Sequence, residues 1–284
     1  MPAADPDASS AINMDTQTHQ NLERLQDIFQ KMDSVLVAFS GGIDSTLVLK
    51  IAHDVLGARA AAATSVSPTV PASELESSRQ ITRQIGVSHH LISSKAMEHP
   101  EFHQNGLRRC YACKHDLYSN GTRLAKELGL RWLANGTNLD DLKDFRPGLE
   151  AAEAFGVRSP LVEAGLDKIQ IRHLSRAIGL PNWDKPAEAC LSSRVPFGTV
   201  ITVERLGRIE RAEEALKREG FRQVRVRDHG EVARIELSAA DLDRLLDATL
   251  RERVVAAVKE TGFRFVTLDL QGYRQGGLNP EALP

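Results

Sequence analysis

An excess of charge of either sign is the first thing this sequence lacks. Thirty-six Lys and Arg stand against 38 Asp and Glu, a formal charge of −2 over 284 residues. No global positive field therefore draws the chain toward nucleic acid or anionic lipid, and no Lys/Arg-rich module is present. Any charged ligand must be held by local clusters. Cysteine is scarce as well: Cys110, Cys113 and Cys190 cannot form a disulfide framework in a chain of this length. No stretch has the length and apolarity of a signal peptide or a spanning helix. These absences imply a cytoplasmic protein with reduced thiols, without a membrane or nucleic-acid partner. What is there, 42% hydrophobic and 26% charged residues, is ordinary globular composition, sufficient for one large or two modest domains.

Residues 1–20 mix Ala, Asp, Ser and Pro without apolar periodicity, which predicts a disordered tail. From Asn21 the spacing of Leu22, Leu25, Ile28 and Phe29 is helical, and Ser34–Phe39 is a short apolar run suited to a buried strand. Strand-like and helix-like segments then alternate through RWLANGT, which predicts a parallel sheet covered by helices on both faces. After Gly179 the pattern changes to a long helix, ITVERLGRIERAEEALKREG, two alternating strands, QVRVRDHG and EVARIELS, two helical stretches and a last strand, FRFVTLDL. The expectation is an α/β chain with a doubly wound parallel sheet over residues 21–185 and a second, smaller α+β C-terminal domain over 186–284, the latter binding substrate and mediating homo-oligomerisation.

Ser40-Gly41-Gly42-Ile43-Asp44-Ser45-Thr46 lies between a buried strand and a helix, where backbone N–H groups and the positive helix end can hold an anion. The glycines permit close approach, Ser40, Ser45 and Thr46 add hydroxyl donors, and an acidic Asp44 beside a phosphate suits positioning of Mg²⁺ or of the loop itself. No Lys occupies the loop, so it is not a Walker A motif. SGGIDS in this setting resembles the PP-loop signature of ATP pyrophosphatases, which implies ATP and Mg²⁺.

Cys110-Tyr-Ala-Cys113 can present two thiols to one centre, and Cys190 lies in AEACLSSR far along the chain. A closed zinc site needs four ligands, and His103 and His115 show no pairing pattern, whereas three cysteines on a [4Fe-4S] cluster leave one iron open. Inert buried thiols, a zinc site and a redox dithiol are the other readings of these residues. Arg108, Arg109 and Lys114 would favour thiolates by lowering their pKa. Ser193 and Arg194 follow Cys190 directly, while Arg225 and Arg227 alternate along one strand and share a face, as do Arg234 and Glu236 on the next. Paired arginines suit a phosphate; equally, they suit cross-strand ion pairs. Arg274, in LDLQGYRQGG, is placed on a loop where binding is expected.

The order SGGIDSTLVLK, CYACK, NGTNLDDLKDFRPGLEAAEAFGVRSPL, ACLSSRVPFG, RVRDHGEVARIEL, LDLQGYRQGG resembles the LarE family of pyridinium-3,5-biscarboxylic acid mononucleotide sulfurtransferases over residues 22–278. The resemblance implies adenylation of a carboxylate on that small-molecule mononucleotide, release of pyrophosphate, and replacement of oxygen by sulfur, as a step toward the nickel-pincer nucleotide cofactor of lactate racemase. By motif it implies that Ser40, Gly41, Gly42, Asp44, Ser45 and Thr46 bind the ATP phosphates, with Gly136, Thr137 and Asp144 lining the same cleft. Ser193, Arg194, Glu213, Arg225, Arg227 and Arg274 would form the substrate site. The CxxC together with Cys190 matches the branch thought to carry a [4Fe-4S] cluster, with Cys110, Cys113 and Cys190 as ligands. The other branch sacrifices one cysteine, which falls at the position of Ala189 here. The competing readings are a PP-loop tRNA thiolase, a sacrificial-cysteine donor using Cys190, and a nucleotide-binding sensor without turnover. An amidotransferase-type synthetase is disfavoured by the absence of a glutaminase domain and of an N-terminal Cys.

Overall fold

The computed structural model describes residues 16–143, 147–186 and 188–274. Along the chain run α1 (Thr16–Met32), β1 (Val35–Ala38), α2 (Ile43–Leu56), β2 (Ala60–Val66), α3 (Ala72–Ile85), β3 (Ser88–Ser93) and the short α4 (Pro100–His103). They are followed by α5 (Arg109–Glu127), β4 (Trp132–Ala134), α6 (Pro147–Ala154), α7 (Pro160–Ala164) and α8 (Lys168–Ala177). The C-terminal elements are α9 (Val203–Arg218), β5 (Val224–His229), β6 (Val232–Leu237), α10 (Ala239–Leu242), α11 (Ala248–Glu260) and β7 (Phe265–Leu268). No helix among the described residues is long and apolar enough to cross a membrane.

Two compact units divide these elements. Of the described residues, the first takes 16–65, 75–92, 117–143 and 147–185; the second takes 66–74, 93–116, 186 and 188–274. The chain thus crosses between units several times, and the C-terminal unit draws in two earlier segments that an alternation of helix and strand signals cannot assign. One of these segments carries the CxxC. Helix α5 belongs to the second unit through Asp116 and to the first from Leu117.

In the first unit the strand order is β3-β2-β1-β4, with β1 parallel to both β2 and β4. Val35, Leu36 and Val37 are fully buried, as a central parallel strand with covered faces requires. Each such side chain contributes about 1.5–3 kcal/mol of burial free energy. Leu25, Phe29 and Met32 of α1, Leu47 and Ile51 of α2 and Ile171 and Leu174 of α8 complete this core. The doubly wound α/β expectation holds. The expected tail is corrected at its end: α1 begins at Thr16, not Asn21, because Thr18 and Asn21 are buried and Gln17 Nε2 donates to Asn21 Oδ1 (2.9 Å), which helical spacing of apolar residues does not register. Residues 1–15 lie outside the described part.

In the second unit β5 and β6 form an antiparallel hairpin and β7 adds in parallel to β6. Helix α9 buries Leu206, Ile209, Ala212 and Leu216 with Val224, Val226 and Ile235 of the sheet and Val254 and Val258 of α11. Thr202 caps α9 by accepting from Arg205 N (3.3 Å), and Asp247 caps α11 through Leu250 N (2.7 Å).

Candidate active site

In the first unit the loop between β1 and α2 sits where the strand order reverses, at the carboxyl end of β1, the position at which open α/β sheets bind ligands. Gly41 adopts φ +75°, a conformation that favours glycine, and Gly42 precedes the helix with no side-chain cap of its own. Ser45 Oγ donates to Gly42 O (3.0 Å) and accepts from Ser40 N (3.3 Å), while Thr46 Oγ1 donates to Gly42 O (2.9 Å). These bonds close the loop on itself at the first turn of α2. Ser40 is exposed and Asp44 half-buried.

Gly136 follows β4 and lies against this turn so closely that a Cβ there would stand 2.7 Å from Ser45 N and 3.1 Å from Asp44 C. Its role is contact with the loop backbone. Thr137 N donates to Asn135 Oδ1 (3.0 Å) in the same turn. Asp144 lies outside the described residues.

Three residues around this loop were not signalled by the motif. Lys168 Nζ meets Asp44 Oδ2 at 2.5 Å, and Asn138 Nδ2 donates to Asp44 Oδ1 (3.4 Å). Lys168 is fixed as the first residue of α8 by a capping box, in which Gln170 N donates to Asp167 Oδ1 (2.8 Å) and Asp167 N to Gln170 Oε1 (3.1 Å). The Asp-x-x-Gln spacing marks that helix start in the sequence, although nothing local shows where the lysine points. Buried Asn182 donates through Nδ2 to Gly41 O (3.0 Å) and to Thr46 Oγ1 (2.9 Å), bracing the loop from the segment after α8. No cation lies within the loop itself, and the Lys168 ammonium reaches Asp44 from α8.

In the second unit Cys110 and Cys113 occupy the first turn of α5, one helical turn apart, with Cys110 exposed and Cys113 half-buried. Cys190, exposed, precedes the 3₁₀ turn Leu191–Arg194. Burial pushes the Cys113 thiol up to about 11; Cys190 and Cys110 push the same way, and Lys114 opposes them. The expected depression by neighbouring cations is therefore overturned at Cys113. Desolvation outweighs Lys114, and the Arg109 guanidinium is buried and turned onto the carbonyl of Ser192 (3.0 Å).

Cys113 feels the charge of both Cys190 and Cys110, and a three-thiol donor set is what a three-cysteine iron–sulfur centre takes, so the residues fit that group in kind. They are not drawn to ligating separation: among the described residues no three His, Cys, Asp or Glu side chains converge to hold a metal ion.

Arg194 is fully buried and binds Glu213 through both Nε (2.9 Å) and Nη2 (3.0 Å). Its Nη1 donates to Ala189 O (2.5 Å), Cys190 O (3.0 Å) and Ser193 Oγ (3.1 Å). Glu213 Oε1 also accepts from Val226 N (3.0 Å). Arg227 binds Glu236 through Nε (2.9 Å) and Nη2 (2.6 Å) and donates to Ser193 O (2.8 Å). Arg225 faces Glu236 across the hairpin, lies over the Tyr273 ring at 5.2 Å, and has its pKa lowered by burial and by the charge of Arg194. Arg274 is exposed and Ser193 half-buried. The second unit thus gathers the cysteines, the serine and the strand arginines, and at Arg194, Glu213 and Arg227 the polar groups are engaged with one another and with the loop backbone.

No family model matches the chain. The sequence is 37% identical over 249 residues to pyridinium-3,5-bisthiocarboxylic acid mononucleotide synthase of Lactiplantibacillus plantarum, covering 87% of this chain and 90% of that enzyme. The chain belongs to the LarE family. Two uncharacterised proteins are similar to this LarE-family chain along most of their length. One, from Synechocystis sp., is 45% identical over 258 residues, covering 91% of this chain and 96% of the relative. The other, from Methanocaldococcus jannaschii, is 29% identical over 246 residues, covering 86% and 92%.

Proposed function

We propose that this LarE-family chain is an ATP-dependent sulfurtransferase that converts a carboxylate of pyridinium-3,5-biscarboxylic acid mononucleotide into a thiocarboxylate. The observation that carries this reading is the 37% identity to the L. plantarum synthase along nine-tenths of that enzyme. A phosphate loop at the switch point of a doubly wound sheet supports the ATP half of the reaction.

A carboxylate is a poor electrophile, so its oxygen first attacks the α-phosphorus of ATP and pyrophosphate departs, leaving an acyl-adenylate. A sulfur nucleophile then adds to the carbonyl carbon, and collapse of the tetrahedral adduct expels AMP and leaves the thiocarboxylate. The amides of Gly41 and Gly42 and the hydroxyl of Ser40 would hold the phosphates, Ser45, Thr46 and Asn182 would brace their loop, and Asn138 and Lys168 would set the Asp44 carboxylate. Asp44 would hold Mg²⁺, which when bound would neutralise charge on the departing pyrophosphate. In the second unit Arg225, Arg274 and Ser193 would take the mononucleotide phosphate, while Cys110, Cys113 and Cys190 would hold a [4Fe-4S] cluster whose open iron supplies the sulfur.

A second reading, in which Cys190 gives up its own sulfur, is supported by the exposure of Cys190 and the separation of the thiols. Incubation of the protein with ATP and the mononucleotide dicarboxylate, with quantitation of AMP, pyrophosphate and the thiocarboxylate, tests the function; absence of all three products refutes it. Intact mass after turnover separates the readings. An unchanged mass with several turnovers per chain supports the cluster, and a stoichiometric loss of about 34 Da, as H₂S leaves the cysteine, supports the sacrificial thiol.

A further inference from the structure

The segment that carries Cys190 has its carbonyl oxygens captured by buried side chains, three of which come from other parts of the chain. Arg194 Nη1 takes Ala189 O and Cys190 O, Arg109 Nη1 takes Ser192 O at 3.0 Å, and Arg227 Nη1 takes Ser193 O at 2.8 Å. Asn105 Nδ2 then takes Val195 O (3.1 Å) and Pro196 O (2.7 Å). Each of these donors is at least nine-tenths buried. Carbonyls bonded to buried guanidinium groups are strong, directional contacts, and they fix a loop that has almost no ladder of its own.

Arg109 differs from the other donors in where it comes from. It is the first residue of α5 and the immediate neighbour of Cys110. Its Nη1 also binds Oδ1 of fully buried Asn105, which itself adopts φ +56°, and its guanidinium lies 5.2 Å from the centre of the Phe197 ring. A single side chain therefore reaches from the base of the CxxC turn to the backbone two residues beyond Cys190. Backbone bonds from Gly198 N to Asn105 O (3.1 Å) and from Ile201 N to His103 O (3.0 Å) run alongside.

We propose that Arg109 is a positioning residue for the sulfur site: it fixes the Cys190 segment against the CxxC turn, so that three thiols far apart in sequence act on one centre. The proposal rests on the reading of Cys110, Cys113 and Cys190 as one site. The Arg109 guanidinium is turned onto Asn105 and the Ser192 carbonyl, so its part here is to place backbone.

Arsenite, which bonds to as many as three thiols at one arsenic, tests this on the full-length protein, reduced and freed of metal by a chelator. The readout is the number of thiols left reactive toward a chromogenic disulfide, with peptide mapping of the reactive residue. The wild-type chain is expected to retain one arsenic and leave no thiol reactive. Arg109→Gln should leave one reactive thiol, mapped to Cys190, and hold arsenic about 10–100-fold less tightly, the range by which supporting groups tune metal affinity. Arg109→Lys, which keeps a donor and a charge, should fall between. Asn105→Gly, which keeps the left-handed backbone and removes the side chain, should behave as Arg109→Gln does. Leu216→Ala, in the α9 core, destabilises the same unit and should still consume all three thiols.

If wild type itself leaves Cys190 reactive, the three-sulfur reading fails and the proposal with it. If wild type and Arg109→Gln both consume three thiols, the site stands and the positioning role is overturned. It is overturned equally if Leu216→Ala frees Cys190, or if Arg109→Gln and Asn105→Gly both lose the native far-ultraviolet dichroism, since Arg109 would then be a folding residue.

Discussion

The SGGIDST loop and the cysteine loop are both short irregular segments, and they are held in different ways. The first is closed mainly from within: Ser40, Gly42, Ser45 and Thr46 bond to one another over a span of seven residues, a glycine takes the one left-handed turn, and Asn182 alone braces it from far along the chain. The second is gripped from elsewhere in its unit by Arg109, Arg227 and Asn105 and from within by Arg194, and the two arginines Arg194 and Arg227 are themselves anchored by Glu213 on α9 and Glu236 on β6. A loop closed by neighbours in sequence can be lifted out as a motif. A loop held by remote buried ion pairs exists only when the unit around it has folded, and it should fail in a different way when broken.

The sharpest break comes from Glu213→Ala. It leaves the fully buried Arg194 without its partner and frees Val226 N, so urea unfolding should show a loss of about 3–5 kcal/mol. Replacing both partners with apolar residues of similar volume should recover most of that loss while still releasing the cysteine loop, so stability and sulfur transfer would part company. On the other side of the comparison, Asp44→Ala removes the group that Lys168 and Asn138 set at the head of α2. Pyrophosphate formation should fall by about 100-fold or more with the unfolding midpoint little changed, and unaltered turnover would remove Asp44 from the ATP site. Gly136→Ala places a methyl against the backbone of Ser45 and Asp44; the expected cost is about 1–3 kcal/mol of stability with a raised KM for ATP.

The smallest effect concerns pH. His89 Nε2 lies 2.7 Å from Thr64 Oγ1, which donates to Phe39 O just before the phosphate loop, and its Nδ1 lies 3.1 Å from Thr82 Oγ1. Burial, joined by the charges of Arg79 and His90, lowers its pKa below 6.5. The fold favours the neutral ring, so its contribution is fully present above the unfolded value and is lost as pH falls through the lower folded value. The melting temperature of the wild type should therefore drop on acidification below about pH 6.5, and the His89→Gln chain should show a shallower drop. Equal slopes would assign the acid sensitivity to other groups.

Much of the first unit was legible because its signals are local. The buried run of β1, the glycines and hydroxyls that follow, and the helical spacing of α2 lie consecutively, and each element forms where its residues predict it. The start of α1 was missed because Thr18 and Asn21 are buried polar residues. The strand cations were legible as a face and ambiguous in role: periodicity aligns Arg225 with Arg227, and only the register of β5 on β6 sets Arg225 opposite Glu236 and Arg227 opposite Arg234, with both Arg227 and Arg234 bonded to Glu236.

The sequence by itself determined the strand–loop–helix that carries SGGIDS and the hairpin of the second unit, because each depends on residues close together in the chain, and the alternation of such local signals implied the parallel sheet. Tertiary structure alone decided that Lys168 meets Asp44, that residues 93–116 join the C-terminal unit, and that Arg109 and Arg194 close on the Cys190 segment. Those contacts span 124, 83 and 4 positions, and even the shortest is fixed by Glu213 on a separate helix. A long cationic side chain can reach in many directions from its backbone; which carbonyl or carboxylate it finds is set by where the other elements pack and by the cost of burying its charge unpaired.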